Sequence, residues 1–142
     1  MLENKHLQTG DVYEGLYKIG QQVVERERPD YLVVAVDPVN FEKPYVKSTE
    51  GMSVVHKATP PDLSGQARMA KGYPAITATI VNTKVPVTSY ASWFSNKTAD
   101  FISQNKEIEA AFATTHRLYP QYKVRFVGDA GLDDQKMFAQ IE

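Results

Sequence analysis

Two aspartates follow apolar stretches of the chain, and they are the residues whose types and positions could support chemistry. Asp37 comes directly after residues 33–36, and Asp129 comes shortly after residues 126–127. If these stretches are neighbouring parallel strands, both carboxylates emerge at one edge of the sheet and repel each other unless a cation lies between them. Carboxylate oxygens suit Mg²⁺ or Mn²⁺, ions that promote phosphoryl transfer. The alternative is turn chemistry, because Asp-Pro and Gly-Asp both favour turns.

The middle of the chain carries an excess of positive charge. Residues 42–97 contain seven basic and three acidic side chains, although the net charge of the whole chain is −1. Such a segment is either a phosphate-binding surface or a solvated loop, and charge alone favours the loop.

The composition excludes several classes of protein. The chain contains no cysteine, which excludes disulfides, thiolate zinc sites, iron–sulfur clusters and cysteine nucleophiles. The longest apolar runs have about six residues, far fewer than the roughly 20 that a membrane helix needs. The first 30 residues are polar and contain no apolar signal-peptide core. We therefore expect a soluble intracellular protein, and its 142 residues allow one domain.

The first half of the chain is expected to form a helix and a buried strand. The helix begins near Asp11, ends at Pro29 and has apolar residues at helical spacing. These residues are Val12, Leu16, Ile19 and Val23. Residues 31–36 are apolar and β-branched, which predicts a strand buried on both faces and ended by Asp37-Pro38. Residues 42–74 are rich in proline and glycine and form an irregular insertion, with one short strand within residues 52–58.

The second half is expected to form a hairpin, a helix, a strand and a last helix. Residues 75–82 and 85–94 are the two strands of the hairpin, and Trp93 is expected in the core of the sheet rather than as a base-stacking platform. A helix follows over residues 97–118, with Glu107 and Glu109 on its polar side, and then a strand over residues 122–127. The last helix begins near Asp133. This order predicts an α/β fold in which helices cover a mixed sheet.

Three segments resemble the transposases of bacterial insertion sequences. They are L-V-V-A-V-D-P at 32–38, G-Y-P-A-I at 72–76 and V-G-D-A-G-L-D-D-Q-K at 127–136. The likeness is to the subgroup whose RNase H-like catalytic domain carries an Asp-Asp-Glu (DDE) triad, and it covers nearly the whole chain. It implies three antiparallel strands, a helix and a fourth strand parallel to the first. Residues 1–30 would be an N-terminal helical segment, and residues 31–142 a partial RNase H-like domain with the insertion at 42–74.

The resemblance also implies a function and its residues. Asp37 and Asp129 match the first two catalytic aspartates, which bind Mg²⁺ or Mn²⁺ for the phosphodiester cleavage and strand transfer of DNA transposition. The implied partner is the DNA of insertion-sequence ends, in the bacterial cytoplasm and close to the nucleoid. Whether the chain forms a homo-oligomer stays open. The basic residues expected to contact DNA phosphates are Lys43, Lys47, Lys57, Arg68 and Lys71.

The chain departs from the family pattern in two respects. It has no Tyr-x-x-Arg-x-x-x-Glu context for the third carboxylate, and Glu142 would lie too far along the last helix to replace it. It also lacks the family's amino-terminal DNA-binding region. We therefore expect an internal piece of a transposase that does not cut DNA by itself. Two alternatives stay open: a non-catalytic remnant that binds DNA or a transposase subunit, and an unrelated α/β domain with two turn aspartates.

Overall fold

A computed structural model describes residues 9–57, 65 and 68–129. This part of the chain is an α/β structure with a mixed sheet and two helices. The elements in chain order are α1 (Thr9–Glu27), β1 (Leu32–Glu42), β2 (Ser53–His56), β3 (Met69–Ile80), β4 (Val87–Trp93), α2 (Gln104–Leu118) and β5 (Val124–Val127). The predicted last helix and Glu142 lie outside the described residues. No described helix is both long and apolar enough to cross a membrane.

Strand β3 is the centre of the sheet. It pairs antiparallel with β1 along one side, and on the other side with β2 near its start and β4 near its end. Strand β5 pairs parallel with β1, from Leu32↔Val124 to Ala35↔Val127. Because β5 has four residues and β1 has eleven, no described strand pairs with the far half of β1 on that side.

Both helices pack on one face of the sheet, and the core lies between them and the strands. Leu32, Val34 and Val36 point to this face and alternate with more exposed neighbours, as the period of a strand requires. On β3, Ile76, Ala78 and Ile80 do the same. The helices add Val24 from α1 and, from α2, Ile108, Ala111 and Phe112. The opposite face of the sheet is not covered by either helix, and we call it the open face.

The structure corrects the predicted bounds at several places. Strand β1 does not end at Asp37-Pro38 but continues to Glu42, because β3 pairs with it residue for residue as far as Glu42↔Gly72. For the same reason β3 begins at Met69, so residues 69–74 belong to the sheet and not to the insertion. Helix α2 begins at Gln104, where the side chain of Ser103 accepts a hydrogen bond from the backbone N–H of Lys106. The short strand within residues 52–58 is confirmed as β2.

Helix α1 is confirmed, but of the four residues in its predicted apolar stripe only Val23 packs against the core. Val12, Leu16 and Ile19 are exposed, whereas Gly20 and Val24 are buried. A Cβ atom on Gly20 would lie 2.5 Å from Cγ1 of Val87, so the missing side chain allows the helix to approach β4 closely.

Candidate active site and basic surface

Asp37 lies within β1, at the point where the parallel partner strand stops. It pairs with Thr77 of β3, and the Thr77 hydroxyl donates a hydrogen bond to the backbone carbonyl of Asp37, at 3.4 Å. Its neighbours Val36 and Pro38 belong to the covered side of the strand, so strand alternation places Asp37 on the open face. The side chain is exposed there.

Asp129 follows β5 and is also exposed. The β1–β5 pairing ends at Ala35↔Val127, two residues before Asp37 on one strand and two residues before Asp129 on the other. Continued by two positions, this register sets the two aspartates opposite each other. The predicted arrangement of the two strands, adjacent and parallel, is therefore confirmed. The expectation that Asp37 ends its strand is wrong, because pairing with β3 carries β1 onward.

Strand β5 also carries a basic side chain, that of Arg125, beside β1. Arg125 is paired with Val33, and its guanidinium lies 4.6 Å from the centroid of the Tyr31 ring. This cation–π contact holds the positive charge near the start of β1, four residues before the position opposite Asp37.

Two carboxylates at one sheet edge are oxygen donors of the kind that Mg²⁺ and Mn²⁺ prefer. The donor chemistry of Asp37 and Asp129 therefore fits such an ion. In the described part of the chain, no group of three or more histidine or acidic side chains could hold a metal ion. The third carboxylate of the DDE pattern is thus not among the described residues at this edge.

Three of the five predicted DNA-contacting residues lie together. The backbone N–H of Lys43 donates to the carbonyl of Lys71, at 2.8 Å, and the ammonium of Lys71 donates to the carbonyl of Lys47, also at 2.8 Å. The loop after β1 thereby returns to the edge of the β2–β3 ladder. The other two, Lys57 and Arg68, are joined by a backbone hydrogen bond of 2.9 Å at the far end of the same ladder.

A cleft of about 640 Å³ opens beside Lys47 and Lys71. Lys97 lines the same cleft, as do the acidic residues Glu50 and Asp100. Lys97 contributes to the positive charge of residues 42–97, but its place in the sequence gives no reason to group it with Lys47. Only the folding of the loop after β4 against the loop after β1 brings these lysines to one surface.

Sequence reasoning misplaces two further side chains. Glu107 of α2 is not on a purely solvated side, since its carboxylate accepts hydrogen bonds from the hydroxyls of Ser92 and Tyr90, at 3.3 and 3.4 Å. Trp93, expected in the core, is 54% exposed and stacks on Phe41. Its position on the open face follows from an irregularity in the β3–β4 pairing that no sequence pattern indicates.

Comparisons with known proteins add no family to these observations. No protein-family model matches the chain, and neither a curated protein nor a solved structure is significantly similar to it.

Proposed function

We propose that this chain carries two of the carboxylates of a catalytic centre for metal-dependent DNA cleavage and strand transfer, as in the DDE transposases that its sequence resembles. The observation that carries the proposal is the β1–β5 register, which ends at Ala35↔Val127, two residues before Asp37 on one strand and two residues before Asp129 on the other.

The topology supports an RNase H-like interpretation of the sheet. Strands β1, β3 and β4 follow one another as antiparallel neighbours, and β2 is an addition within the loop between the first two. Helix α2 then crosses over to β5, which lies beside β1 and runs parallel to it. This is the order that the family fold requires: three antiparallel strands, a helix and a fourth strand beside the first.

The chemistry of the two aspartates fits the reaction. Their carboxylates would hold Mg²⁺ or Mn²⁺, which when bound supplies Lewis-acid stabilisation of the negative charge that develops on a phosphodiester. Asp37 and Asp129 would be fixed by their strands rather than by mobile loops, since both sit at most two residues from a paired position. A position within a paired strand, or directly after one, is a suitable support for ligands whose positions must be reproducible.

The lysines supply the second part of the proposal, the contacts with the DNA backbone. Lys43, Lys47 and Lys71 form one basic cluster, and Lys97 adds a fourth positive charge at its cleft. Contacts of this kind position a duplex and carry no sequence information. The cleft beside Lys47 and Lys71 is lined by neither Asp37 nor Asp129. DNA binding without cleavage is therefore the second candidate function of the chain.

Metal binding tests the aspartate pair directly. The chain is titrated with Mn²⁺, and free Mn²⁺ is followed by its electron paramagnetic resonance signal. We expect binding that is lost in both Asp37→Asn and Asp129→Asn, because one carboxylate is a poor site for a hydrated divalent ion. Asp100→Asn is the matched control, an exposed aspartate in the loop before α2. Binding that survives in both site variants would remove the metal site from the proposal.

DNA binding tests the lysine cluster. A triple variant with alanine at Lys43, Lys47 and Lys71 should bind duplex DNA more weakly, and the salt dependence of its binding should fall by about one unit for each phosphate that is no longer neutralised. Alanine at Lys18, Lys106 and Lys123 removes the same charge elsewhere and serves as the control. An equal loss of affinity in both triple variants would mean that DNA binding depends only on the net charge of the chain.

We expect no cleavage of the duplex by this chain with either ion, because two carboxylates leave the transition-state charge incompletely neutralised.

A further inference from the structure

Two aromatic rings stack on the open face of the sheet. The centroids of the Phe41 and Trp93 rings are 4.8 Å apart, with an angle of 25° between the ring planes. Phe41 belongs to β1 and Trp93 to β4, so the rings meet across the strand between them, β3. Ala75 pairs with Trp93 at this place, and its small side chain leaves space beneath the rings.

The stack leaves a large aromatic surface in solvent. Trp93 is 54% exposed in spite of its contact with Phe41. An exposed tryptophan held in a fixed orientation by a neighbouring ring is a surface on which another flat ring can stack without much loss of conformational entropy. The described structure therefore contains a preformed aromatic platform, which we define as the side chains of Phe41 and Trp93.

A basic side chain lies against this platform, and further lysines follow from it. The ammonium of Lys43 lies over the Trp93 ring, 5.9 Å from its centroid, where a phosphate beside a stacked base would draw it away. The backbone N–H of Lys43 donates a hydrogen bond to the carbonyl of Lys71, and the ammonium of Lys71 donates one to the carbonyl of Lys47. The basic cluster therefore begins at the edge of the platform. Glu42 and Glu50 are the acidic residues of the same segments.

The combination of an aromatic platform with lysines indicates the class of partner. Lysine is depleted in interfaces between proteins, although aromatic residues are enriched there. Surfaces that bind single-stranded nucleic acid combine both, because each unpaired base has a π-face to stack and each nucleotide has a phosphate to neutralise. A duplex cannot use the platform in this way, since its bases already stack on one another.

We propose that the Phe41–Trp93 platform stacks unpaired bases of single-stranded DNA, while Lys43 and Lys71 contact the phosphates beside them. The proposal deepens the proposed function and rests on its DNA-binding part. Strand alternation puts Asp37 and Phe41 on the same face of β1, four residues or about 13 Å apart. An unpaired end held by the platform would thus extend along the face that carries the candidate active site.

The chain has one tryptophan, which makes the proposal directly measurable. All of its tryptophan fluorescence comes from Trp93, and a base stacked on that ring quenches it. We expect oligo(dT) to quench the emission when titrated in EDTA, so that no metal ion takes part. An abasic oligonucleotide of equal length offers the same phosphates without bases and should leave the emission nearly unchanged. Equal quenching by both oligonucleotides, or none by either, would overturn the proposal.

Substitutions separate stacking from attraction of charge. Trp93→Ala should weaken the binding of labelled oligo(dT), followed by fluorescence anisotropy, by about fivefold to a hundredfold, the usual range for one stacked base. Trp93→Phe keeps a ring and should recover much of the affinity. Tyr45→Ala is the control, since Tyr45 is an exposed aromatic residue in the following loop with 97% of its surface in solvent.

The outcomes distinguish this proposal from the one on which it rests. If Trp93→Ala binds oligo(dT) as tightly as the unaltered chain does, the platform has no role in DNA binding and is better explained as a protein-binding surface. If Trp93→Ala weakens duplex and single-stranded DNA equally, stacking on unpaired bases is ruled out. Neither result changes the expected metal binding by Asp37 and Asp129, and loss of metal binding does not affect the quenching by oligo(dT).

Discussion

The two faces of the sheet differ although the same strands build them. On the covered face, Val34, Ile76 and Ile80 are completely buried beneath the helices. On the open face, the same strands present Asp37, Thr77 and the ring of Phe41, all at least partly in solvent. Successive side chains of a strand point in opposite directions. Residues that stabilise the core and residues on the open face are therefore direct neighbours in the sequence. Substitutions on the two faces should therefore affect different properties of the protein.

Neighbouring residues on β3 provide the largest test of this comparison. Ile76→Ala should lower the free energy of unfolding by about 2–5 kcal/mol, because it leaves a cavity in a core that cannot fully close. Thr77→Ala, one residue further on the open face, should cost less than about 1 kcal/mol, the range of strand propensities. Urea unfolding followed by circular dichroism measures both values. Similar losses of stability at the two positions would mean that the open face is covered in solution.

Two glycines of α1 provide the second test. Gly20 faces β4, and a Cβ there would lie 2.5 Å from Cγ1 of Val87, so Gly20→Ala should destabilise the protein by about 1–3 kcal/mol through overpacking. A Cβ on Gly15 would meet no atom within 4 Å, so Gly15→Ala should stabilise it by about 0.5–1 kcal/mol through better helix propensity. Thermal unfolding of both variants measures the difference. The same sign for both would contradict the packing of α1 on β4.

Tyr119 provides the smallest test, on the covered face. Its side chain is buried, and in the described part of the chain its hydroxyl has no hydrogen-bond partner. An unpaired buried hydroxyl is costly, so Tyr119→Phe should stabilise the protein by about 1 kcal/mol at neutral pH, as measured by urea unfolding. A loss of stability in this variant would mean that the hydroxyl has a partner after all.

The same residue makes stability depend on alkaline pH. Burial raises the pKa of Tyr119 from 10.0 to about 12. The folded chain therefore holds this proton more tightly than the unfolded chain does, and the resulting stability is complete below pH 10 and is lost as the pH rises toward 12. Tyr119→Phe should remove this part of the alkaline decline, as measured by urea unfolding at a series of pH values.

The sequence predicted the order of the elements well and their ends less well. Apolar periodicity located α2 and the main strands, because burial of one face repeats along each element. It also located α1, although most of the apolar residues on which that prediction depended are exposed. It failed at Asp37-Pro38, which is a common strand terminator. Proline lacks an N–H but is tolerated in a strand where one side has no partner, and β5 has already ended there. The bounds thus depended on pairing with β3, which is a long-range property.

The candidate site, like the bounds of the strands, was predicted only in part, because some of its geometry depends on long-range pairing. The adjacency of the strands that carry Asp37 and Asp129 followed from their apolar sequences and from the resemblance. The place of Trp93 did not, because the β3–β4 register shifts between Ala78 and Thr79 and leaves Ser89 as an extra residue. Before this bulge odd-numbered residues such as Val87 face the core, and after it they face outward. One inserted residue therefore moves Trp93 to the open face, an effect that local sequence patterns do not reveal.

The short length of β5 has a consequence for the solution behaviour of the protein. Beyond Ala35, no described strand pairs with one side of β1, so among the described strands that side of β1 is a sheet edge. Natural proteins protect such edges with charges and prolines. Asp37 and Pro38 stand at the beginning of this stretch, and a charge and a proline are the residue types that protect such an edge. The aspartate that we propose as a metal ligand would therefore, together with the proline beside it, also oppose the addition of a second chain to the sheet.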